Sequence, residues 1–329
     1  MWNRQAHQDP LPPALAQQWV LTSRCLSKLS GFMQASALSD VEIQVLLFAE
    51  ALDTNRASGS QLDAATLARC AVTRESARPP EAREALRGLM ALQLLNEKSD
   101  ESLLTVTDLV ELQTLLDFGR ADLNPSLKFE LLECWVDDWQ QASQLEAFAD
   151  PLLQWPALNA RWRLMKAMSG NGERLGRVLD VLLLKRADLL PSMGLLWSRA
   201  LRASKQAHHS PLMPWEPTQA DVQAWQMQML KTLASAAGST LDFLVSLSTL
   251  WGQVQHDLQA QHRFYSRELL VHLFVHPATR VELLARDLAV TRLTATRYLE
   301  ALVATGILQR ERHGRDNIYS HNVLLAMMD

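Results

Sequence analysis

The sequence contains little cysteine, and its three cysteines, Cys25, Cys70 and Cys134, are scattered along 329 residues. They have neither zinc-ligand spacing nor the density of a disulfide-stabilised secreted domain. No apolar run approaches the roughly 20 residues that span a bilayer, and the first residues lack the apolar segment of a signal peptide. We therefore expect a cytoplasmic protein with no membrane segment, and we expect neither a metal nor a cofactor.

The chain also lacks an overall excess of positive charge, since 36 acidic residues outnumber 32 lysines and arginines and the formal net charge is −4. Any affinity for nucleic acid must then come from a local basic surface. The hydrophobic content of 48% is that of an ordinary globular protein. The length is sufficient for two domains.

Strand-like alternation is rare before about residue 280, whereas Leu, Ala and Gln are abundant throughout the rest of the chain. All ten tryptophans precede residue 252. The composition therefore changes near the C-terminus. We predict a mainly α protein, with a large helical body over residues 1–260 and a small α+β domain over residues 261–329.

The C-terminal domain has the pattern of a winged helix-turn-helix. Residues 279–288 predict a short amphipathic helix, residues 289–291 a tight turn, and residues 292–305 a second helix. Thr291 is the expected N-cap of that helix and Gly306 its expected C-terminal cap. Residues 307–312 and 318–320 alternate like strands on either side of a turn, which predicts a β-hairpin, the wing.

The second helix has one apolar stripe, which predicts its buried face: Ala295, Leu299, Leu302 and Val303. The polar residues outside the stripe lie in its first turns, the end that enters the major groove in this motif. Arginine can bind guanine through two hydrogen bonds, and threonine can reach bases or phosphates. The predicted DNA-reading residues are Arg292, Thr294, Thr296 and Arg297.

Three arginines of the wing, Arg310, Arg312 and Arg315, suit the phosphate backbone. Between residues 291 and 315 five arginines stand against two glutamates, a local net charge of +3. The alternative is a winged helix used only for protein contacts, because a fold alone does not fix a function. The local basic excess favours DNA.

A second informative segment lies in the helical body, where the glycine-rich residues 169–177 precede a predicted helical run over residues 178–186. Glycines before a helix let backbone N–H groups converge, and the helix dipole favours an anion there. The candidate phosphate cradle consists of Gly170, Asn171, Gly172, Arg174 and Arg177. Short glycine motifs are weak evidence, so the alternative is a glycine-rich turn between helices that carries two solvated arginines.

This segment resembles the active-site loop and helix of the Fic family, whose motif runs His-Pro-Phe-x-x-Gly-Asn-Gly-Arg-x-x-Arg. The match to Gly-Asn-Gly and Arg-x-x-Arg requires Glu173 to be an insertion. The resemblance implies a Fic-like helical body, and members of the family transfer a nucleotide phosphate moiety, usually AMP, to protein hydroxyls. A winged helix near the C-terminus also resembles the family.

The family's histidine is the general base, and this chain has no histidine between His7 and His208. In the ungapped register Lys166 takes its place, and Glu173 puts a carboxylate where a phosphate would arrive. Residues 50–59 resemble the family's inhibitory helix, Ser/Thr-x-x-x-Glu-Gly, with Thr54 and Gly59 in place and Ser58 at the glutamate position. The alternative is an ordinary helix that ends there. The resemblance thus implies no catalytic residue.

Two histidine pairs have spacings that a metal could use, His208-His209 and His272/His276. No carboxylate or cysteine accompanies either pair in a recognised sequence pattern, so we interpret them as structural. We interpret Trp215, Trp225 and Trp251 as core anchors.

We therefore predict a DNA-binding transcriptional regulator, a repressor, with a catalytically inactive Fic-like body. That body would form a homodimer or respond to a nucleotide effector, and double-stranded DNA is the expected partner. The alternative function is a divergent Fic-type nucleotidyltransferase that acts on protein hydroxyls.

Overall fold

The computed structural model of the protein describes residues 11–73, 78–97, 112, 150–153, 155–156, 159, 172–207, 218–313 and 316–329. Within these ranges eleven helices and three short strands follow one another along the chain. They are α1 (Pro13–Ala35), α2 (Ser39–Arg56), α3 (Ala64–Val72), α4 (Pro80–Glu97), α5 (Gly172–Arg186), α6 (Trp197–Ala207), α7 (Gln219–Gln261), α8 (Arg267–Val275), β1 (Ala278–Thr279), α9 (Val281–Asp287), α10 (Arg292–Ala304), β2 (Gln309–His313), β3 (Asp316–Ser320) and α11 (Asn322–Met328). The predicted mainly α fold is confirmed.

The chain forms two compact units. The first comprises Met1–Gln34, Ser99–Pro191 and Ala200–Gly238, and the second comprises Ala35–Lys98, Ser192–Arg199 and Ser239–Asp329. The second unit thus combines the C-terminal elements with α2, α3 and α4. The grouping into two units does not test the domain boundary that the composition predicts at residue 260, and that boundary stays a prediction.

In the first unit, polar side chains on buried surfaces find backbone partners on neighbouring segments. The hydroxyl of Thr22 in α1 donates to the carbonyl of Leu230 in α7 at 3.0 Å. The indole N–H of Trp225 donates to the Pro156 carbonyl at 2.9 Å. Trp225 and Trp251 are both buried, as expected for core anchors. Trp215 lies outside the described residues.

Helix α7 is long and apolar enough, by length and composition, to cross a membrane, with a mean hydropathy of 1.3 over its most apolar window. Core helices of folded proteins have the same properties. Leu233, Leu244 and Leu258 along α7 are completely buried. Burial of this kind matches a core helix, whose apolar side chains pack against protein.

The three strands of the second unit form an antiparallel sheet in the order β1-β3-β2. Thr279 of β1 lies opposite Tyr319 of β3, and Arg310 of β2 lies opposite the same residue on the other side. Strand β2 is exposed along its whole length. Its charged side chains suit an open sheet edge, because such residues disfavour pairing with another chain.

Two short helices, α9 and α10, and the β2–β3 hairpin form where the sequence predicts helices and strands. The Thr291 side chain caps α10 by accepting from Thr294 N, and Gly306 follows α10 with φ +77°. Ile307 N then donates to the Leu302 carbonyl at 3.0 Å. This hydrogen bond supplies a donor for a carbonyl in the last turn of α10. One boundary was wrong: Thr279 belongs to β1 and not to a helix, because β3 supplies it with a strand partner.

Two buried carboxylates of α2 contact the start of α6. The Glu50 carboxylate accepts from the backbone N–H of Ser198 with both oxygens, at 3.0 and 3.1 Å. The hydroxyls of Thr54 and Ser198 lie 2.8 Å apart. Asp53 accepts from Arg199 Nε at 2.7 Å. Glu50 thereby satisfies a free amide in the first turn of α6 with the charge that a helix N-terminus favours.

The same region holds the last residues of the chain. Arg199 Nη2 donates to the Met328 carbonyl at 2.7 Å. The Asp329 carboxylate pairs with Arg56 at 2.5 Å and accepts from Ala64 N at 2.9 Å. α2 and α3 are therefore part of the surface on which α11 ends.

We expect Glu50→Gln to lower the free energy of unfolding by about 1–3 kcal/mol, the range for a buried hydrogen bond to a charged group. Chemical denaturation of the full chain measures this. Glu97→Gln, at the exposed end of α4, is the matched control and should change it by less than about 0.5 kcal/mol. Equal effects of the two variants would contradict this account of α6.

We also expect His321 to make the fold acid-sensitive. Its Nδ1 caps α11 by accepting from Leu324 N, and burial lowers its pKa to about 4 from the usual 6.5. As the pH falls below 6.5, the imidazole of His321 becomes protonated in the unfolded chain. In the folded chain it becomes protonated only near pH 4, so unfolding is favoured between these values. This residue should therefore remove up to about 3 kcal/mol of stability between pH 7 and pH 4.

Denaturation at several pH values tests this dependence. His321→Asn keeps a capping side chain without a titrating group, so its stability should fall less between pH 7 and pH 4. His256→Asn, on the exposed side of α7, should leave the wild-type slope unchanged. An unchanged slope in His321→Asn would show that the imidazole is not the sensitive group.

Candidate functional site

The first turns of α10 present the face that the sequence predicts for DNA reading. Ala295, Leu299 and Leu302 are completely buried, so the opposite face of the helix is exposed. Arg292 and Arg297 are both exposed at this end of the helix. Leu293, with 63% of its surface accessible, lies beside them. An exposed helix start with two arginines and an apolar side chain has the residue types that contact base edges.

The two threonines of this face have local partners. The hydroxyl of Thr294 lies 2.9 Å from that of the capping residue Thr291. The hydroxyl of Thr296 donates to the Arg292 carbonyl at 2.8 Å. Both oxygens retain capacity to accept a further hydrogen bond. Their prediction as DNA contacts stays a prediction.

Two of the predicted arginines are paired with acidic neighbours. Arg292 forms an ion pair with Glu282 of α9. Arg310 of β2 donates to both carboxylate oxygens of Glu300, at 3.0 and 2.9 Å. All four side chains are 41–74% exposed, so these pairs are weak and can exchange for other partners.

Glu300 has a second partner that fixes its position. Tyr319 OH donates to its Oε1 at 2.7 Å. Burial, followed by this hydrogen bond to the carboxylate, raises the pKa of Tyr319 to about 12. The same hydrogen bond lowers the pKa of Glu300. The carboxylate therefore remains charged next to Arg310 and reduces the local positive charge.

Arg297 and Arg312 are exposed, and within the described part of the chain neither forms an ion pair. Arg315 lies outside the described residues. These contacts rank the predicted arginines: Arg297 on α10 and Arg312 in the wing are immediately available to an anionic partner. The sequence analysis missed this ranking of the arginines, because Glu282 lies before residues 291–315, the segment over which the charges were summed.

The charge of the whole predicted C-terminal domain is close to balanced, since residues 261–329 contain nine arginines and seven acidic residues. Glu311 of the wing is itself paired with Arg69 of α3, through two contacts of 2.9 Å. The local excess of +3 predicted from residues 291–315 thus belongs to a surface on which acidic side chains are interspersed.

The candidate phosphate cradle is described only in part. Gly170 and Asn171 lie outside the described residues, and Gly172 is the first residue of α5. Arg174 and Arg177 in α5 are buried, with 8% and 5% of their surfaces accessible. The alternative of two solvated arginines was therefore wrong.

Asp180 is a buried acidic residue of α5 that sequence reasoning did not single out. Its Oδ1 accepts from Asn159 Nδ2 at 2.5 Å, and its carbonyl accepts from the Trp155 indole N–H at 2.9 Å. No local pattern marks these partners, because they lie more than twenty residues earlier in the chain. The carboxylate places negative charge in the same helix as Arg174 and Arg177.

The segment that resembles an inhibitory helix forms the end of α2 and the turn after it. Helix α2 ends at Arg56, and Gly59 has φ +93°. Thr54 contacts Ser198 through its hydroxyl, and Ser58 donates to the Thr54 carbonyl at 3.3 Å. The buried carboxylates of this region are Glu50 and Asp53, which precede Ser58, the residue at the motif's glutamate position, by eight and five residues.

The histidine pair of α8 has a carboxylate beside it in the folded chain, although no recognised sequence pattern places one there. Asp287 Oδ2 lies 2.9 Å from His272 Nδ1 and 3.2 Å from His276 Nε2. Burial, and secondarily the other imidazole, lowers the pKa of His272 to about 4. Burial also lowers the pKa of His276. The contact between Asp287 and the two histidines could not be predicted from local sequence patterns, because Asp287 belongs to the next helix.

The C-terminal residues match a known family. Residues 250–324 match the family described as Protein adenylyltransferase SoFic-like, C-terminal domain. This segment contains the end of α7 and the elements from α8 through β3, and with them all of the residues predicted to contact DNA.

The fold of the chain is similar to a crystal structure of a Fic family protein from Desulfovibrio desulfuricans G20. The similarity covers 95% of this chain and 97% of the other, with a TM-score of 0.52 and 13% sequence identity. At that identity the likeness establishes the fold. The protein thus has a Fic-like helical body followed by a small α+β domain that is SoFic-like in sequence.

Proposed function

We propose that the protein is a DNA-binding transcriptional regulator, a repressor, whose C-terminal domain is a winged helix-turn-helix. In this proposal α9 and α10 form the helix-turn-helix, and β2 with β3 forms the wing. The observation that carries it is the exposed start of α10, where Arg292, Leu293 and Arg297 are accessible to solvent while the apolar stripe of the same helix is fully buried. In helix-turn-helix proteins the start of the second helix contacts base edges in the major groove.

Each side chain on this face has a counterpart in duplex DNA. The guanidinium groups match the O6 and N7 acceptors of guanine, and Leu293 matches the methyl group of thymine. Arg297 can reach an acceptor without breaking an ion pair, whereas Arg292 must exchange Glu282 for DNA. We therefore assign Arg297 the larger share of base reading.

The wing supplies contacts to the phosphate backbone. Arg312 is exposed in β2 and has no ion-pair partner among the described residues. Arg310 can exchange Glu300 for a phosphate, and Arg315 extends the same arginine series in the sequence. Contacts of this kind set the affinity and its salt dependence without reading sequence.

The Fic-like body serves, in this proposal, as a homodimerisation scaffold or as a sensor of a nucleotide effector. Two half-sites multiply a modest single-site affinity, which makes dimers the common form of such regulators. Light scattering should then give a mass of twice 37.0 kDa. The absence of histidine from residues 8–207 supports a body without the family's general base.

We expect Arg297→Ala to weaken binding of the full chain to its operator by about 10-fold or more, since a two-bond arginine–guanine contact contributes ~1–3 kcal/mol. The loss should be smaller on non-specific duplexes. Arg312→Ala should weaken all duplexes alike and reduce the slope of log affinity against log salt by about 1. Fluorescence anisotropy with duplexes from around its own gene measures both effects.

Two further variants sharpen this experiment. Arg83→Ala removes an exposed arginine of α4 and should leave DNA binding unchanged. Glu282→Gln releases Arg292 and removes a negative charge, so it should strengthen binding. No binding at low salt, or equal losses in Arg83→Ala and Arg297→Ala, would refute the proposed function.

Nucleotidyl transfer to protein hydroxyls is the second candidate, because the family that residues 250–324 match is described as a protein adenylyltransferase. Lys166 stands at the histidine position of the ungapped motif, and a lysine must be strongly desolvated to act as a base. We expect no labelled protein when the full chain is incubated with α-labelled ATP and cellular proteins. A labelled band that depends on the chain would favour the transferase.

A further inference from the structure

A cluster of two histidines and one aspartate joins α8 to α9. His272 and His276 lie one turn apart on α8, and Asp287 is the last residue of α9. One oxygen, Asp287 Oδ2, lies 2.9 Å from His272 Nδ1 and 3.2 Å from His276 Nε2. The three potential ligand atoms all lie within 4.8 Å of one another.

These separations suit a small metal ion. Around a tetrahedral ion with bonds of about 2.0–2.1 Å, neighbouring ligand atoms are roughly 3.3 Å apart. The two observed separations lie close to that value, and the cluster needs only a small side-chain movement to admit an ion. Two imidazole nitrogens with one carboxylate oxygen form a ligand set that zinc uses, and imidazole also suits copper and nickel.

The cluster has outer contacts that orient its ligands. His272 Nε2 lies 2.7 Å from the buried hydroxyl of Thr279. A partner on the far nitrogen of a ligating histidine fixes the ring and its tautomer. Asp287 Oδ1 accepts from Arg286 Nε at 2.9 Å, so the second carboxylate oxygen is also held while Oδ2 faces the histidines.

The cluster combines a buried ligand with an opening to solvent. The side chain of His272 is only 1% exposed, whereas those of His276 and Asp287 are 32% and 24% exposed. An ion can therefore enter past His276 and keep a water molecule as a fourth ligand. Arg286 adds positive charge nearby, which weakens the attraction for a dication, so we expect micromolar affinity.

We propose that His272, His276 and Asp287 bind a divalent transition metal of the zinc class, which cross-links α8 to α9. The ion would hold the helix that precedes α10. Binding would then stabilise the arrangement of the C-terminal domain, since an ion that binds only the folded state favours that state. The proposal does not depend on DNA binding.

The test is a titration of the chelator-treated full chain with Zn²⁺ in a calorimeter. We expect one ion per chain with micromolar affinity and a rise in the midpoint of thermal unfolding. Mg²⁺ should give neither effect, since magnesium prefers oxygen ligands. A dissociation constant in the millimolar range, or several equivalent ions per chain, would overturn the proposal.

Variants separate this site from adventitious binding. His276→Gln, at the half-exposed ligand, should weaken Zn²⁺ binding at least 10-fold, whereas His256→Gln on exposed α7 should leave it unchanged. Thr279→Val, which removes the outer partner of His272, should weaken binding 10- to 100-fold. Circular dichroism confirms that each variant is folded. Wild-type affinity in folded His276→Gln would overturn the proposal.

Discussion

The buried carboxylates of α2 are the constraint on which the second unit depends most. Glu50 and Asp53 are almost completely inaccessible to solvent, and an unpaired charge in such a place is strongly unfavourable. Glu50 finds the free amide of Ser198, and Asp53 finds Arg199. Residues far apart in the sequence must therefore come together before either charge can be buried.

Residues held by these contacts also bind the C-terminal elements. Arg199, held by Asp53, donates to the carbonyl of Met328, and Arg69 of α3 contacts Glu311 in the wing. Helices α9 and α10 and the β2–β3 hairpin consequently belong to the second unit together with α2 and α3. The C-terminal elements that carry the exposed face of α10 are therefore held in part by side chains from α3 and α6.

Local signals explain what the sequence could predict. A capping threonine at residue 291, a glycine at residue 306 and one apolar stripe specify α10, because each acts within a turn of the helix. The β2–β3 hairpin follows from alternation around a short turn. The fold class follows in turn from the rarity of strand-like alternation elsewhere.

The site could be predicted only in part, because its determinants are non-local. Arginines on α10 and in the wing are visible in the sequence, whereas the pairing of Arg292 with Glu282 depends on how two helices pack. The two-residue strand β1 is too short to show a period. The approach of Asp287 to His272 likewise spans fifteen residues and a strand.

The turn between α9 and α10 contains Ala289 with φ +52°, a left-handed conformation that an alanine adopts at a cost of about 1–2 kcal/mol. Two backbone hydrogen bonds close this turn: the N–H of Ala289 donates to the carbonyl of Arg286, and the N–H of Val290 donates to the carbonyl of Ala285. Since the residue itself prefers another conformation, the angle between the helices is maintained by the packing of their buried faces. A substitution that loosens this core would therefore change the orientation of α10 before it unfolds the domain, so the exposed face of α10 would be displaced while the domain is still folded.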